Sequence, residues 1–143
     1  MRRAPIFTTA EAVEEAFYDA MQRADLEAMM TLWADDEEVV CVHPGGGRLV
    51  GLEAIRSAWG AIFHNGGVDA RPTSVRTYTG AVTAIHSVVE QVLITGRSGR
   101  SEVAECIATN VYVKHASGWR ILVHHSAPTN EESPPIAAGT MLH

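Results

Sequence analysis

The chain has 143 residues, 46% hydrophobic and 20% charged, with a formal charge of −6 and a pI near 5.6. A chain of this length is expected to form one domain that buries roughly 70% of its unfolded surface, and the composition argues against wholesale disorder. The acidic balance and the lack of any basic run argue against nucleic acid or an anionic membrane as partner, since both require a basic patch.

The opening "MRRAPIFTTAEAVEE" carries two arginines but no apolar run, so no secretory leader is expected. No segment approaches the roughly 20 apolar residues of a membrane helix, and a cytoplasmic location is expected. Residues 1–7 and 129–143 read as flexible tails around a domain at 8–128. Thr8 with Glu11 has capping-box spacing and predicts a helix start. Val13, Ala16, Phe17, Ala20, Met21 and Ala24 then form one apolar stripe. Asp25 is placed to cap a second short helix, with Leu26, Met29, Met30 and Trp33 pointing inward. An acidic loop over Asp35 to Glu38 leads to the short strand "VVCVH", stopped by Pro44 and three glycines. A third helix is expected over 52–63, with Ile55, Trp59 and Ile62 on one side and the glycines of "HNGG" at its end.

From residue 71 the period changes to that of long strands separated by Gly- or Ser-containing turns. Helices followed by strands in series predict an α+β domain with an antiparallel sheet. Val88 with Val89, Leu93 with Ile94 and Ile121 with Leu122 make the strands apolar on both faces. Three helices cover one face only, so the other is expected to pack against a second copy as a homodimer. Cys41 and Cys106 sit in apolar strand text and read as buried reduced thiols.

The stretch "DLEAMMTLWADDEEVVCVHPGGGRLVGLEAIRSAW" resembles the SnoaL-like proteins of the nuclear transport factor 2-like superfamily, whose helix start "G-x-E-A-I" corresponds to Gly51, Glu53, Ala54 and Ile55. "ATNVYVKHASGWRILVHHSAP" is similar to the family's closing hairpin, and departs from it at Val123 and in the position of Ser126. The resemblance implies helices packed in the concave face of a curved antiparallel sheet, a cone with an apolar pocket at its mouth. It also implies a range of activities, from ketosteroid isomerase, cyclase and dehydratase chemistry to non-enzymatic assembly.

On that fold a reaction needs a base in an apolar pocket and one or two donors for a developing oxyanion. Glu90, stranded in "SVVEQVLI", is the candidate base; Asn110 and Tyr112 share a strand face and are candidate donors to a ligand oxygen. His124 and His125 are adjacent on one strand, so one faces the cone and the other faces away, and a bulge would exchange them. The catalytic candidates are therefore Glu90, His125 and Asn110. Tyr18, Trp33, His43, Trp59, Tyr112 and His124 are the candidate ligand contacts, and His86 is a further polar residue within strand text. No metal-ligand spacing occurs among the seven histidines, "GGGR" at 45–48 lacks the rest of a phosphate loop, and Ser126 lies on no nucleophile elbow. The expected function is the binding of a small apolar organic molecule, with cofactor-independent proton transfer if catalytic. The alternative is a non-catalytic binding or dimeric assembly module.

Overall fold

The computed structural model describes residues 5–95 and 99–129. Three helices, α1 (Ala10–Arg23), α2 (Leu26–Thr31) and α3 (Leu52–Phe63), pack against one six-stranded sheet. Its strands are β1 (Val40–Val42), β2 (Arg48–Val50), β3 (Asp69–Thr79), β4 (Thr83–Thr95), β5 (Ser101–His115) and β6 (Gly118–Pro128), in the spatial order β2-β1-β6-β5-β4-β3. The α+β cone expected from the sequence is the fold observed. One detail differs: β1 runs parallel to β6, so the sheet is mixed, while every other pair is antiparallel. A three-residue strand between a helix and a glycine turn carries no periodicity that fixes its direction.

Local chemistry sets the helix boundaries. The cap of α1 is Thr9, whose side chain accepts from Ala12 N, and not Thr8 as the spacing suggested. Asp25 caps α2 through Ala28 N as expected. The apolar stripe of α1 buries Val13, Phe17, Ala20 and Met21 against the sheet, and α3 adds Ile55 and Trp59. Gly67, where a Cβ would meet the backbone of Gln22, lets the loop after α3 run close under the end of α1. There Val68 N donates to Met21 O at 2.9 Å. That contact ties the loop to α1 and leaves Met21 and Val68 beside one space.

Residues 5–7, expected as part of a loose tail, lie across the start of β6: Trp119 N donates to Phe7 O, and the Arg120 guanidinium to Pro5 O. The expected flexible tail lies, from residue 130 on, outside the described residues. Alternation along β4 and β5 turns Ala84, His86, Val88 and Glu90, then Cys106, Ala108, Asn110 and Tyr112, toward the helices. The opposite face leaves Tyr78, Ile85, Val103 and Ile107 exposed. Both cysteines are free and buried, and burial pushes the Cys41 thiol up to about 12.

Candidate functional site

The concave side of the sheet carries polar side chains in an apolar setting. His86, Glu90, Asn110, His124 and Ser126 are each 3% exposed or less, and Tyr112 is fully buried. Transfer of such groups from water is costly unless each finds a partner, and the partners form one inward-facing array. From α1, Glu14 Oε2 accepts from Tyr112 Oη at 2.6 Å and Asn110 Nδ2 at 3.3 Å, and lies 2.9 Å from His86 Nδ1. One turn on, Tyr18 Oη donates to Glu90 Oε2 at 2.6 Å and accepts from Asn110 Nδ2 at 3.3 Å. Ser126 Oγ donates to Glu90 Oε1 at 2.7 Å, and Asn110 Oδ1 stands 2.6 Å from His124 Nδ1.

The array fixes its own polarity. Both Asn110 contacts to Glu14 and Tyr18 come from the amide nitrogen; turning the amide would set its oxygen against a carboxylate oxygen. Asn110 Oδ1 therefore faces His124, and His124 Nδ1 must carry the proton it donates. Burial, with smaller contributions from His43 and His125, pushes the His124 imidazole down to about 3. At neutral pH it is uncharged, and its second nitrogen, Nε2, presents a lone pair. Burial and the Glu90 carboxylate hold the Tyr18 phenol far above its ordinary range, and burial and Glu14 do the same for Tyr112. Both remain neutral donors at any working pH. His86 Nε2 has no hydrogen bond and lies 3.5 Å from the exposed Glu11 carboxylate, within ion-pair distance but without hydrogen-bond geometry.

Beside this array lies a cavity of about 310 Å³, at the small end of the range for small-molecule sites. Glu90, Ser126 and His124 form its polar floor. Its walls are apolar: Met21 from α1, Trp59 and Ile62 from α3, Val68 and Ala70 from the lower edge, and Val92 from β4. His43, Ile94, Cys106 and Pro128 also border it. His43 stands edge-on to Trp59 at 4.5 Å between ring centroids, and burial lowers its pKa. Phe17 packs 4.7 Å from His124 and 5.8 Å from Trp59, and Trp59 lies 6.5 Å from His124, so the three rings form one cluster.

The candidate residues divide into three groups. Glu90, His124, His43 and Trp59 border the cavity. Tyr18, Asn110 and Tyr112 face inward but stand behind the floor, and their polar atoms are committed to Glu90, Glu14 and one another. The expectation that Asn110 or Tyr112 presents a donor to a ligand oxygen is thereby corrected.

His125 and Trp33 are corrections of a different kind. His125 is exposed on the outer face, paired with Thr109 and Val42. The cause is a β-bulge: Val111 pairs with Val123 and Tyr112 with Ile121, so Leu122 is an extra residue. Ile121 and His124 consequently both face the core, although strict alternation would separate them. Trp33 is buried at the far end of β6, bridged to Ile121, and borders a separate surface cleft with Met30 and Arg120. It is a core residue there. Ser126 and Glu14 complete the site although neither was a sequence candidate.

The SnoaL-like domain family matches residues 10–131. Among solved structures, one named for the association domain of calcium/calmodulin-dependent protein kinase type II, from Thiobacillus denitrificans, is 35% identical with a TM-score of 0.79, over 88% of this chain and 99% of that one. A protein from Streptomyces avermitilis, named as a dehydratase of the NTF2-like family, is 28% identical with a TM-score of 0.76, over 83% of this chain and 93% of that one. The F-box protein SKIP8 of Arabidopsis thaliana is 26% identical over 117 residues, 81% of this chain; the match spans 48% of that protein, about half its length. With the cone, its inward polar array and a family match that runs from the start of α1 past the end of β6, the chain belongs to the SnoaL-like domain family.

Proposed function

We propose that this protein binds a compact, mostly apolar organic molecule in the cavity between α1, α3 and the sheet, with Glu90 engaging the molecule's polar end as a proton acceptor. One observation carries the reading: a carboxylate 3% exposed, its two oxygens held by the hydroxyls of Tyr18 and Ser126, on the floor of a 310 Å³ apolar space. Each carboxylate oxygen has a second lone-pair site, so both remain able to accept from a ligand. The likeness to an NTF2-like dehydratase is compatible with proton transfer at Glu90. Chemistry through an enolate is less well served, because Asn110, Tyr18 and Tyr112 direct their donors into the array, away from the cavity.

Native and denaturing mass spectra of the protein as purified test the reading. The expected result is a bound mass that is lost on denaturation. A protein that is always bare, and that no apolar probe stabilises against heat, would refute it.

We further propose that the outer face pairs two copies. Ile85, Val103 and Ile107 are 40%, 63% and 47% exposed on neighbouring strands, an apolar surface of the kind that soluble monomers seldom display. Light scattering at micromolar concentration should give twice the chain mass, and Ile107→Lys should give one. A monomeric parent protein would sink the proposal.

A further inference from the structure

The cavity floor has a hydrogen-bond polarity that is one-sided. Ser126 spends its proton on Glu90 Oε1, Tyr18 spends its own on Glu90 Oε2, and His124 spends its Nδ1 proton on Asn110. What remains toward the cavity is a set of acceptors: the free lone pairs of Glu90, the oxygen of Ser126 and Nε2 of His124. The second feature is charge. Among the described residues, neither lysine nor arginine borders the cavity. Among the described residues the one buried guanidinium, Arg120, is committed to the carbonyls of Trp119 and Pro5. The Glu90 carboxylate thus receives two neutral hydroxyls and no cation.

We infer that the cavity takes a small apolar molecule ending in a protonated primary amine, seated on Glu90, Ser126 and His124. The inference rests on the cavity-binding reading and specifies its ligand. A primary ammonium carries three donors, no acceptor and one positive charge, which matches three acceptors, one of them a carboxyl group with no cation beside it among the described residues. A hydroxyl supplies one donor and leaves the charge unmatched. A carboxylate brings acceptors to acceptors and a second negative charge into a dry space, a costly combination. Three other donors border the cavity: the Cys106 thiol, which is a weak one, Trp59 Nε1 and His43. Trp59 Nε1 lacks a partner but is buried from solvent. His43 packs edge-on against Trp59, with Nε2 3.7 Å from the Cys41 sulfur.

Three probes that share one ring separate the alternatives: cyclohexylmethylamine, cyclohexylmethanol and cyclohexanecarboxylate, titrated calorimetrically into the full chain at about pH 7. The amine should bind at least about tenfold more tightly than the alcohol, as a charge-assisted contact replaces a neutral one, and the carboxylate should bind most weakly. Glu90→Gln should weaken the amine by more than the alcohol, so that the tenfold gap between the two closes. The series on the parent protein decides the matter even if that variant does not fold. An alcohol that matches or exceeds the amine, or a carboxylate that binds most tightly, overturns the inference and leaves the cavity-binding reading standing. If none of the three binds and the purified protein is bare, both fall.

Discussion

Glu14 is the carboxylate on which the interior array depends, and its removal should be among the most damaging single changes in the protein. Its Oε2 receives three buried groups, from β4 and β5 alike: His86 Nδ1 at 2.9 Å, Asn110 Nδ2 at 3.3 Å and Tyr112 Oη at 2.6 Å. In Glu14→Ala these would lose their acceptor. A stranded buried donor costs about 1–3 kcal/mol, more opposite a charge. Three of them do not add in full, because they converge on one atom and Asn110 keeps Tyr18 as a second partner. Glu14 also borders an outer cleft with Glu11 and Glu15, from which water can enter and repay a part. A net loss of about 3–5 kcal/mol follows, among the large values that come from breaking a buried hydrogen-bond network. For a domain of this size that lowers Tm by roughly 10–15 °C. Thermal and urea unfolding followed by circular dichroism would measure it, with the exposed neighbour Glu15→Ala as control, expected within about 0.5 kcal/mol of the parent. If Glu14→Ala costs under about 1 kcal/mol, or no more than the control, the array does not hold α1 to the sheet.

Burial pushes the His124 imidazole down to about 3 from its ordinary 6.5, so between these values the unfolded chain binds a proton that the native one does not. Stability should therefore fall as pH drops from 6.5 toward 3, by up to about 1.4 kcal/mol per pH unit from this residue, and urea titrations of His124→Gln should show a flatter slope than the parent. Gly118 turns the β5–β6 hairpin at φ 104°, and a Cβ there would lie 2.7 Å from Phe7 O, so Gly118→Ala should cost about 2 kcal/mol or more and loosen residues 5–7, visible as faster amide exchange at Trp119. Burial raises both thiols, with the nearby Glu90 adding to the shift at Cys106, so a bulky disulfide reagent should leave Cys41 and Cys106 unmodified in the native protein and modify both in denaturant.

Much of the scaffold was legible because periodicity and capping are local. Asp25 as a cap, the span of α3 and the shared face of Asn110 and Tyr112 on β5 all follow from spacing within one element. The cap at Thr9 was missed by one residue because two threonines stand together and both have polar residues in the first turn. Glu14 was missed for a different reason. Between Glu11 and Glu15 it reads as part of a solvated acidic face, yet with Ala10, Phe17, Tyr18 and Met21 it falls at i, i+4, i+7, i+8 and i+11, all of them buried. A carboxylate on that face was a detectable signal. The choice between His124 and His125 was not detectable, because it depends on whether Leu122 is absorbed in a bulge against β5, a property of two strands together.

That bulge also bears on what the site can bind. The extra residue brings His124, and not His125, to the inner face beside Asn110. There His124 donates to the Asn110 oxygen, Asn110 is locked with its amine toward Glu14 and Tyr18, and Tyr18 is free to give its own proton to Glu90. Satisfaction of the buried array and exhaustion of the donors at the floor are thus the same event. Polar groups that must be paired to lie under three helices have directed their protons to one another, and the face left toward the cavity can only accept. The selectivity inferred for the cavity follows from the bonding that allows these side chains to be buried at all, so exchanging any one donor in the array, Tyr18 above all, should change both the stability of the fold and the ligand that it prefers.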